Sequence, residues 1–146
     1  MRIREEDIQI GLYNYFSNSP LVWDVYREVK CPLGKVDLLI YYKDKSTELI
    51  EVKNIKQIKH AIGQVIAYTK YYPVSKKSIA YFTYDTREMS KQPTSHYFNI
   101  AKENDIRLFN AYSLVDSDGL VNKKVEKEEI NYSCIDIQNI ESLSNI

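Results

Sequence analysis

Apolar positions along the chain recur with two different periods, and the changes of period predict the order of its elements. Near the amino terminus, apolar residues from Ile8 to Phe16 are spaced every three or four positions, which predicts a helix over about Glu5–Ser17. Three stretches rich in Val, Ile, Leu and Tyr predict strands: LVWDVYREVK, KVDLLIYYK and TELIEVKN. Because short turns join them, they indicate an antiparallel meander.

The helical period returns between about Lys56 and Tyr72, where Ile58, Ile62 and Val65 share one face. SIAYFTY then predicts a buried strand, parallel to the third strand because it follows a crossover helix. SHYFNIAKENDI predicts another helix, and IRLFNAYSLV predicts a last strand. The order of elements predicts one α/β domain with a central mixed sheet flanked by helices.

The pattern weakens after Val115. NKKVEKEE has no clear apolar face, and INYSCIDI is either one more strand or part of a dimer contact. We therefore expect the domain to span residues 1–115. Residues 116–146 would form an acidic C-terminal extension that packs on the same domain or on a dimer partner.

Composition narrows the class of protein. The chain has 146 residues, of which 44% are hydrophobic and 27% charged, enough for one domain with a hydrophobic core. Two cysteines are too few for a disulfide framework, a zinc ribbon or a four-cysteine iron–sulfur site. No apolar run has the length of a membrane span, and MRIREED is no signal peptide, so we expect a cytoplasmic protein without a membrane partner.

Charge is balanced overall, with 20 basic and 20 acidic residues, but it is unevenly distributed. Between Val52 and Tyr84 there are six lysines and no acid, whereas seven acids and three lysines follow from Ser113 to the end. A local basic face attracts a polyanion such as nucleic acid. The alternative is a solvated, lysine-rich helix.

Polar residues on the second and third strands suggest a metal site. Glu51 and Lys53 share one face of the third strand because strand side chains alternate. Asp37 lies on the neighbouring strand, and pairing across the short turn brings it close to Glu51. Two carboxylates so close repel each other unless a cation lies between them, and Mg²⁺ suits such a site.

This pattern resembles the PD-(D/E)XK nuclease superfamily, whose core has the restriction-endonuclease-like αβββαβ order. GKVDLL carries Asp37, IEVKN carries Glu51 and Lys53, and GQVIAY carries Gln64 and Tyr68, which looks like the Q-x-x-x-Y element of the RecB-like branch and of NucS-type nucleases. One departure is that no proline precedes Asp37, but that proline is often missing in the superfamily. The shortage of cysteine argues against the iron–sulfur subtype.

The resemblance implies roles for these residues. Asp37 and Glu51 would bind Mg²⁺, or Mn²⁺ in its place, together with the backbone carbonyl of Val52. Lys53 would orient or activate the attacking water. Gln64 and Tyr68 lie four residues apart and project from one helix face, from which they would reach the Lys53 region or a phosphate. The alternatives are a polar helix margin for Gln64 and ordinary core packing for Tyr68.

Further candidates lie around this group. Glu5 falls within the packed sector of the first helix and Glu6 falls outside it, so Glu5 is the better candidate for the carboxylate that often joins the site in the superfamily. Lys35, Lys56 and Lys59 are candidate DNA contacts. For Lys56 and Lys59, the alternative is a solvated helix start.

The function predicted from these residues is that of a Mg²⁺-dependent deoxyribonuclease, an endonuclease or an exonuclease. Without room for a specificity domain, it would select DNA structure over sequence, as enzymes of repair, recombination or replication do. Cutting both strands would require a homodimer. One alternative is a nucleic-acid-binding module of the same fold that does not cut, and another is a structural or interaction protein.

Overall fold

The computed structural model describes residues 2–116, which form a five-stranded sheet with helices on both faces. In chain order the elements are α1 (Glu5–Ser17), β1 (Val22–Cys31), β2 (Gly34–Tyr42), β3 (Thr47–Asn54), α2 (Ile58–Tyr68), β4 (Lys76–Phe82), α3 (Ser95–Glu103) and β5 (Ile106–Asn110). The strands lie side by side in sequence order.

Pairing in the sheet is mixed. The first three strands form the predicted antiparallel meander, and β4 runs parallel to β3, as expected after a crossover helix. β5 runs parallel to β4. The predicted α/β class and the restriction-endonuclease-like αβββαβ order are therefore confirmed. The proposed extension over residues 116–146, beyond its first residue, and the strand predicted over INYSCIDI lie outside the described residues.

Two hydrophobic cores, one on each face of the sheet, hold the layers together. The first packs α1 against the sheet, and its members include Ile8, Leu12, Phe16, Leu38, Ile40, Ile50, Val52 and Phe82. The second packs α2 and α3 against the other face, and its members include Leu39, Leu49, Ile58, Ile62, Val65, Tyr68, Ile79 and Ile106. Alternation along the central strands thus supplies both cores, which is typical of a sheet covered on both sides.

Several predicted boundaries are wrong, and side-chain caps explain two of them. The helix predicted from about Lys56 begins as a 3₁₀ turn over Ile55–Gln57, because the Asn54 side chain accepts the Lys56 N–H at 2.9 Å. The helix proper ends at Tyr68. The last strand stops at Asn110, whose side chain accepts the Tyr112 N–H at 3.0 Å and starts another 3₁₀ turn.

The ladder between β2 and β3 ends before the strands do. Its last backbone pair is Leu38 with Ile50. Beyond that pair the Asp37 N–H donates to Glu51 Oε1 at 3.0 Å, and the Val52 N–H donates to Asp37 Oδ2 at 2.7 Å. Carboxylate oxygens thus replace backbone carbonyls as acceptors. We call this place the strand fork.

Candidate metal and nucleic-acid site

The strand fork brings the two predicted metal ligands together. Glu51 is 1% exposed, and its carboxyl group is hydrogen-bonded to the side chain of Asp37 as well as to the Asp37 backbone. Burial, and then the charge of Asp37, raise the pKa of Glu51 to about 9. Burial also raises the pKa of Asp37, although the Val52 N–H opposes that shift. At neutral pH the pair therefore retains a proton that a bound cation would displace.

The donor set of the fork suits a hard divalent cation. Within residues 2–116 no three His, Cys, Asp or Glu side chains converge as a metal-binding group, so the fork offers two carboxylates. Mg²⁺ takes few protein ligands and keeps several waters. The backbone carbonyl of Val52, the predicted third ligand, belongs to the residue whose N–H is bonded to Asp37.

Lys53 lies at the same end of β3, facing the first turn of α1. Its side chain is 14% exposed, and its Nζ lies 3.8 Å from Glu5 Oε1. Burial raises the pKa of Glu5, and the charge of Lys53 opposes that shift. Glu6 is exposed, so of the two neighbouring acids Glu5 and Glu6 it is Glu5, the one predicted, that lies beside Lys53. The contact makes Glu5 a counter-ion of Lys53.

Gln9 is a site residue that the sequence analysis missed. It is 5% exposed, and its Nε2 donates to Asp37 Oδ1 at 2.9 Å. Its Oε1 accepts a hydrogen bond from Arg27 Nη1 at 3.1 Å, so the amide is fixed from both sides. Since Gln9 lies four residues after Glu5, about 40° away around the helix, a polar residue in the packed sector was the signal that could have found it.

Tyr68 closes the α2 side of the site. A Cβ at Gly34 would lie 3.0 Å from the Tyr68 hydroxyl oxygen, and Gly34 has a φ of 138°, so only glycine fits this turn. Burial raises the pKa of Tyr68, with further contributions from the charges of Glu51, Cys31 and Asp37. The phenol is therefore within electrostatic reach of both carboxylates and remains a hydrogen-bond donor.

Gln64 joins Tyr68 to an open groove. Gln64 lies one helical turn before Tyr68, and its Oε1 is buried without a hydrogen-bond partner within residues 2–116. A groove of about 620 Å³ extends from Gln64 along the first turns of α2 and is lined by Lys56, Gln57, Lys59, His60, Gly63 and Gln64. We call it the lysine groove. The orphan amide oxygen at its end is the kind of buried group that a substrate or an ordered water satisfies.

The three predicted DNA-contacting lysines divide into two groups. Lys56 and Lys59 are exposed in the lysine groove, beside Gln64. Lys35 is exposed at the start of β2, next to the glycine that contacts Tyr68. Lys56 and Lys59 thus share one groove with Gln64, and Lys35 follows the glycine that faces the Tyr68 hydroxyl.

Comparison with known proteins adds few constraints. No protein-family model matches the chain. A protein of Acanthamoeba polyphaga mimivirus that is named for a KilA-N domain is 32% identical over 105 residues, which make up 72% of this chain and 36% of that protein. The chain thus spans well under half of this viral relative.

Among solved structures, a repair endonuclease from Pyrococcus abyssi is similar to the chain with a TM-score of 0.49 and 12% sequence identity. The similarity covers 70% of this chain and 46% of that one. Within residues 2–116 no helix is long and apolar enough to cross a membrane.

Proposed function

We propose that the chain is a metal-dependent nuclease of the PD-(D/E)XK type that hydrolyses phosphodiester bonds in DNA. The observation that carries the proposal is the strand fork, where two buried carboxyl groups are pressed together beside a lysine. Carboxyl groups whose pKa is shifted by burial and by a specific charged neighbour are typical of functional sites, because such an arrangement does not stabilise the fold.

The residues of the fork have separate tasks in this mechanism. Asp37 and Glu51 would hold Mg²⁺, or Mn²⁺ in its place, together with the Val52 carbonyl. When bound, the ion polarises the phosphoryl oxygen and lowers the pKa of its water. Lys53, screened from bulk water and paired with Glu5, orients the attacking water and offsets negative charge at the phosphate.

The surroundings of the fork suggest how DNA is held. Lys56 and Lys59 contact phosphates along the lysine groove, and Lys35 does so on the other side of Tyr68. Gln64 offers its unpaired amide oxygen to an ordered water at the edge of the groove. The lysines contact the DNA backbone, so the enzyme selects DNA structure, as enzymes of repair, recombination or replication do. A homodimer would supply the second active site for cutting both strands.

A cleavage assay tests the proposal. Single-stranded, duplex, flap, mismatched and four-way-junction DNA are incubated with Mg²⁺, Mn²⁺ or EDTA. We expect cutting that requires metal and falls about 10³-fold in Glu51→Gln and in Lys53→Ala. Glu6→Gln is the matched control, because this exposed acid lies next to Glu5 and points away from the site.

Two results would contradict the assignment. Metal-dependent cutting that survives Glu51→Gln would exclude the fork as the active site. If no DNA is cut but DNA is bound with a steep dependence on salt, the chain is a nucleic-acid-binding module of the same fold.

A further inference from the structure

A second groove lies at the same end of the sheet and is built from residues that the nuclease mechanism does not use. It encloses about 400 Å³ and is lined by Arg2, Tyr84, Asp85 and Arg87. The guanidinium carbon of Arg2 lies 5.3 Å from the centre of the Tyr84 ring. We call this groove the Tyr84 cleft.

The ring of Tyr84 is held in place although it is partly exposed. Its backbone carbonyl accepts the Ile3 N–H at 2.8 Å, and the next residue, Asp85, forms an antiparallel bridge with Arg2. The buried ring of Phe82 packs against it at 5.4 Å between centres, almost perpendicular. Tyr84 nevertheless remains 37% exposed. A fixed and accessible aromatic ring is ready to stack with a planar ligand.

The cleft lies beyond the carboxyl end of β4, at the end of the sheet where β3 carries Glu51 and Lys53. In the β3–β4 register Asn54 pairs with Phe82, two residues before Tyr84. Arg2 lies three residues before Glu5, whose carboxylate contacts Lys53. Phe82 belongs to the core under α1, whereas the lysine groove lies on α2. Two open basic grooves thus lie at this end of the sheet, one on the α1 side and one on α2.

The chemistry of the cleft suits one nucleotide. Arg87 uses Nε and Nη2 to pair with Asp85, the shortest contact being 2.8 Å, and its side chain is still 86% exposed. Two arginines and one aspartate leave a net charge of +1 in the cleft. Guanidinium groups bind phosphate, and aromatic rings stack with bases of any sequence. At an exposed ring, a base stack is stronger than a guanidinium contact, so a base displaces Arg2 towards the phosphate.

We propose that the Tyr84 cleft binds one unpaired nucleotide beside the scissile phosphate, with its base on Tyr84 and its phosphate on Arg2 and Arg87. The inference rests on the proposed function, and it names the substrate class as single-stranded or branched DNA. A base inside a duplex has both faces covered by its neighbours, so a fully paired strand cannot use the ring.

Binding measured without cleavage tests this site. A single-stranded oligonucleotide carrying 2-aminopurine is titrated with protein in EDTA, and both affinity and fluorescence quenching are recorded. We expect Tyr84→Phe to bind as the wild type does and Tyr84→Leu to bind about 5- to 150-fold more weakly, with loss of quenching. Affinity for blunt duplex DNA should not change. Leu21→Ala is the control, since Leu21 is also exposed but precedes β1 at the opposite end of the sheet.

A second variant tests the cleft without the risk that Tyr84→Leu simply fails to fold. Arg87→Gln leaves the ring and its packing untouched, and it should lower the salt dependence of single-strand binding by about one phosphate contact. The proposal is overturned if Tyr84→Leu, folded by its melting temperature, binds single strands as the wild type does. It is equally overturned if Leu21→Ala weakens binding as much.

The two proposals fail in different ways. If the wild type cuts DNA but Tyr84→Leu retains the wild-type preference between single strands and duplex, the cleft is excluded and the nuclease remains. If Tyr84→Leu loses single-strand binding while the wild type cuts no DNA, the cleft is supported and the nuclease proposal fails.

Discussion

Two buried acids on β3, three residues apart, have opposite surroundings. Glu48 is 2% exposed and accepts hydrogen bonds from the hydroxyls of Tyr42 and Ser78 and from Arg107 Nη2 at 3.1 Å. Glu51 is 1% exposed, and its closest ionisable neighbour is the carboxyl group of Asp37. Hydrogen-bond donors surround the carboxylate of Glu48, whereas the carboxyl group of Glu51 faces that of Asp37.

The contrast separates a structural carboxylate from a functional one. A buried charge is tolerated when hydrogen bonds and an opposite charge compensate for its lost hydration, and Glu48 has both. Burial, followed by the charge of Glu48, raises the pKa of Tyr42, which keeps its hydroxyl a donor. Glu51 accepts one backbone hydrogen bond, but burial and the charge of Asp37 outweigh it and the charge of Lys53, so its cost is explained by a ligand that the fork is built to receive.

The largest difference should appear when each acid is removed. We expect Glu48→Ala to lower the free energy of unfolding by about 3 kcal/mol, because two buried hydroxyls and Arg107 lose their acceptor. Glu51→Gln should change it by less than about 1 kcal/mol, or raise it, in EDTA. Urea denaturation at neutral pH measures both. Equal losses in the two variants would remove the distinction between the acids.

A smaller effect should appear in the pH dependence of stability. Because the folded pKa of Glu51 is about 9 against an ordinary value of 4.5, the folded state binds the extra proton between these limits. Stability is therefore greatest at the acidic end and falls as pH rises towards 9. We expect a loss of about 2 kcal/mol from pH 6 to pH 8 in EDTA.

Two comparisons sharpen this pH experiment. Glu51→Gln has no carboxyl group to titrate and should give a flatter profile of melting temperature against pH. Mg²⁺ should stabilise the wild type more at high pH than at low pH, because it replaces the proton. A wild-type profile as flat as that of Glu51→Gln would show that the acid is ionised throughout.

The smallest effect should come from the amide that orients the fork. Gln9→Met keeps the length of the side chain but removes both hydrogen bonds, so we expect a loss of about 1 kcal/mol in the free energy of unfolding. Affinity for Mn²⁺, measured by calorimetry, should fall about 10-fold because Asp37 is no longer held. Gln92→Met, at an exposed glutamine, is the control. Unchanged Mn²⁺ affinity in Gln9→Met would show that Asp37 needs no such support.

Residues whose position depends on local pattern could be placed from the sequence. The bounds of α1 and β3 agree with those predicted, and the hairpin between β2 and β3 brings Asp37 to Glu51 as expected. The choice of Glu5 over Glu6 followed from helical periodicity.

Residues whose position depends on packing between distant elements could not be placed in this way. Helical periodicity marks Gln9 as a packed polar residue, but it meets Asp37 only because α1 crosses the sheet at this point, which no local pattern encodes. The Tyr84 cleft likewise joins the first residues of the chain to the segment after β4. The early end of the β2–β3 ladder depends on side chains competing with backbone carbonyls, and periodicity predicts an unbroken ladder instead.

The strand fork also links two backbone amides directly to the carboxylates of the site. The amide protons of Asp37 and Val52 are protected from solvent deuterium by carboxylate oxygens, not by the ladder. The exchange rates of these two amides should therefore depend on protonation and metal binding at the carboxylates. The exchange rates of neighbouring amides should depend on opening of the sheet. Amide exchange at Asp37 and Val52, followed by NMR, should therefore report on proton and metal occupancy of the fork.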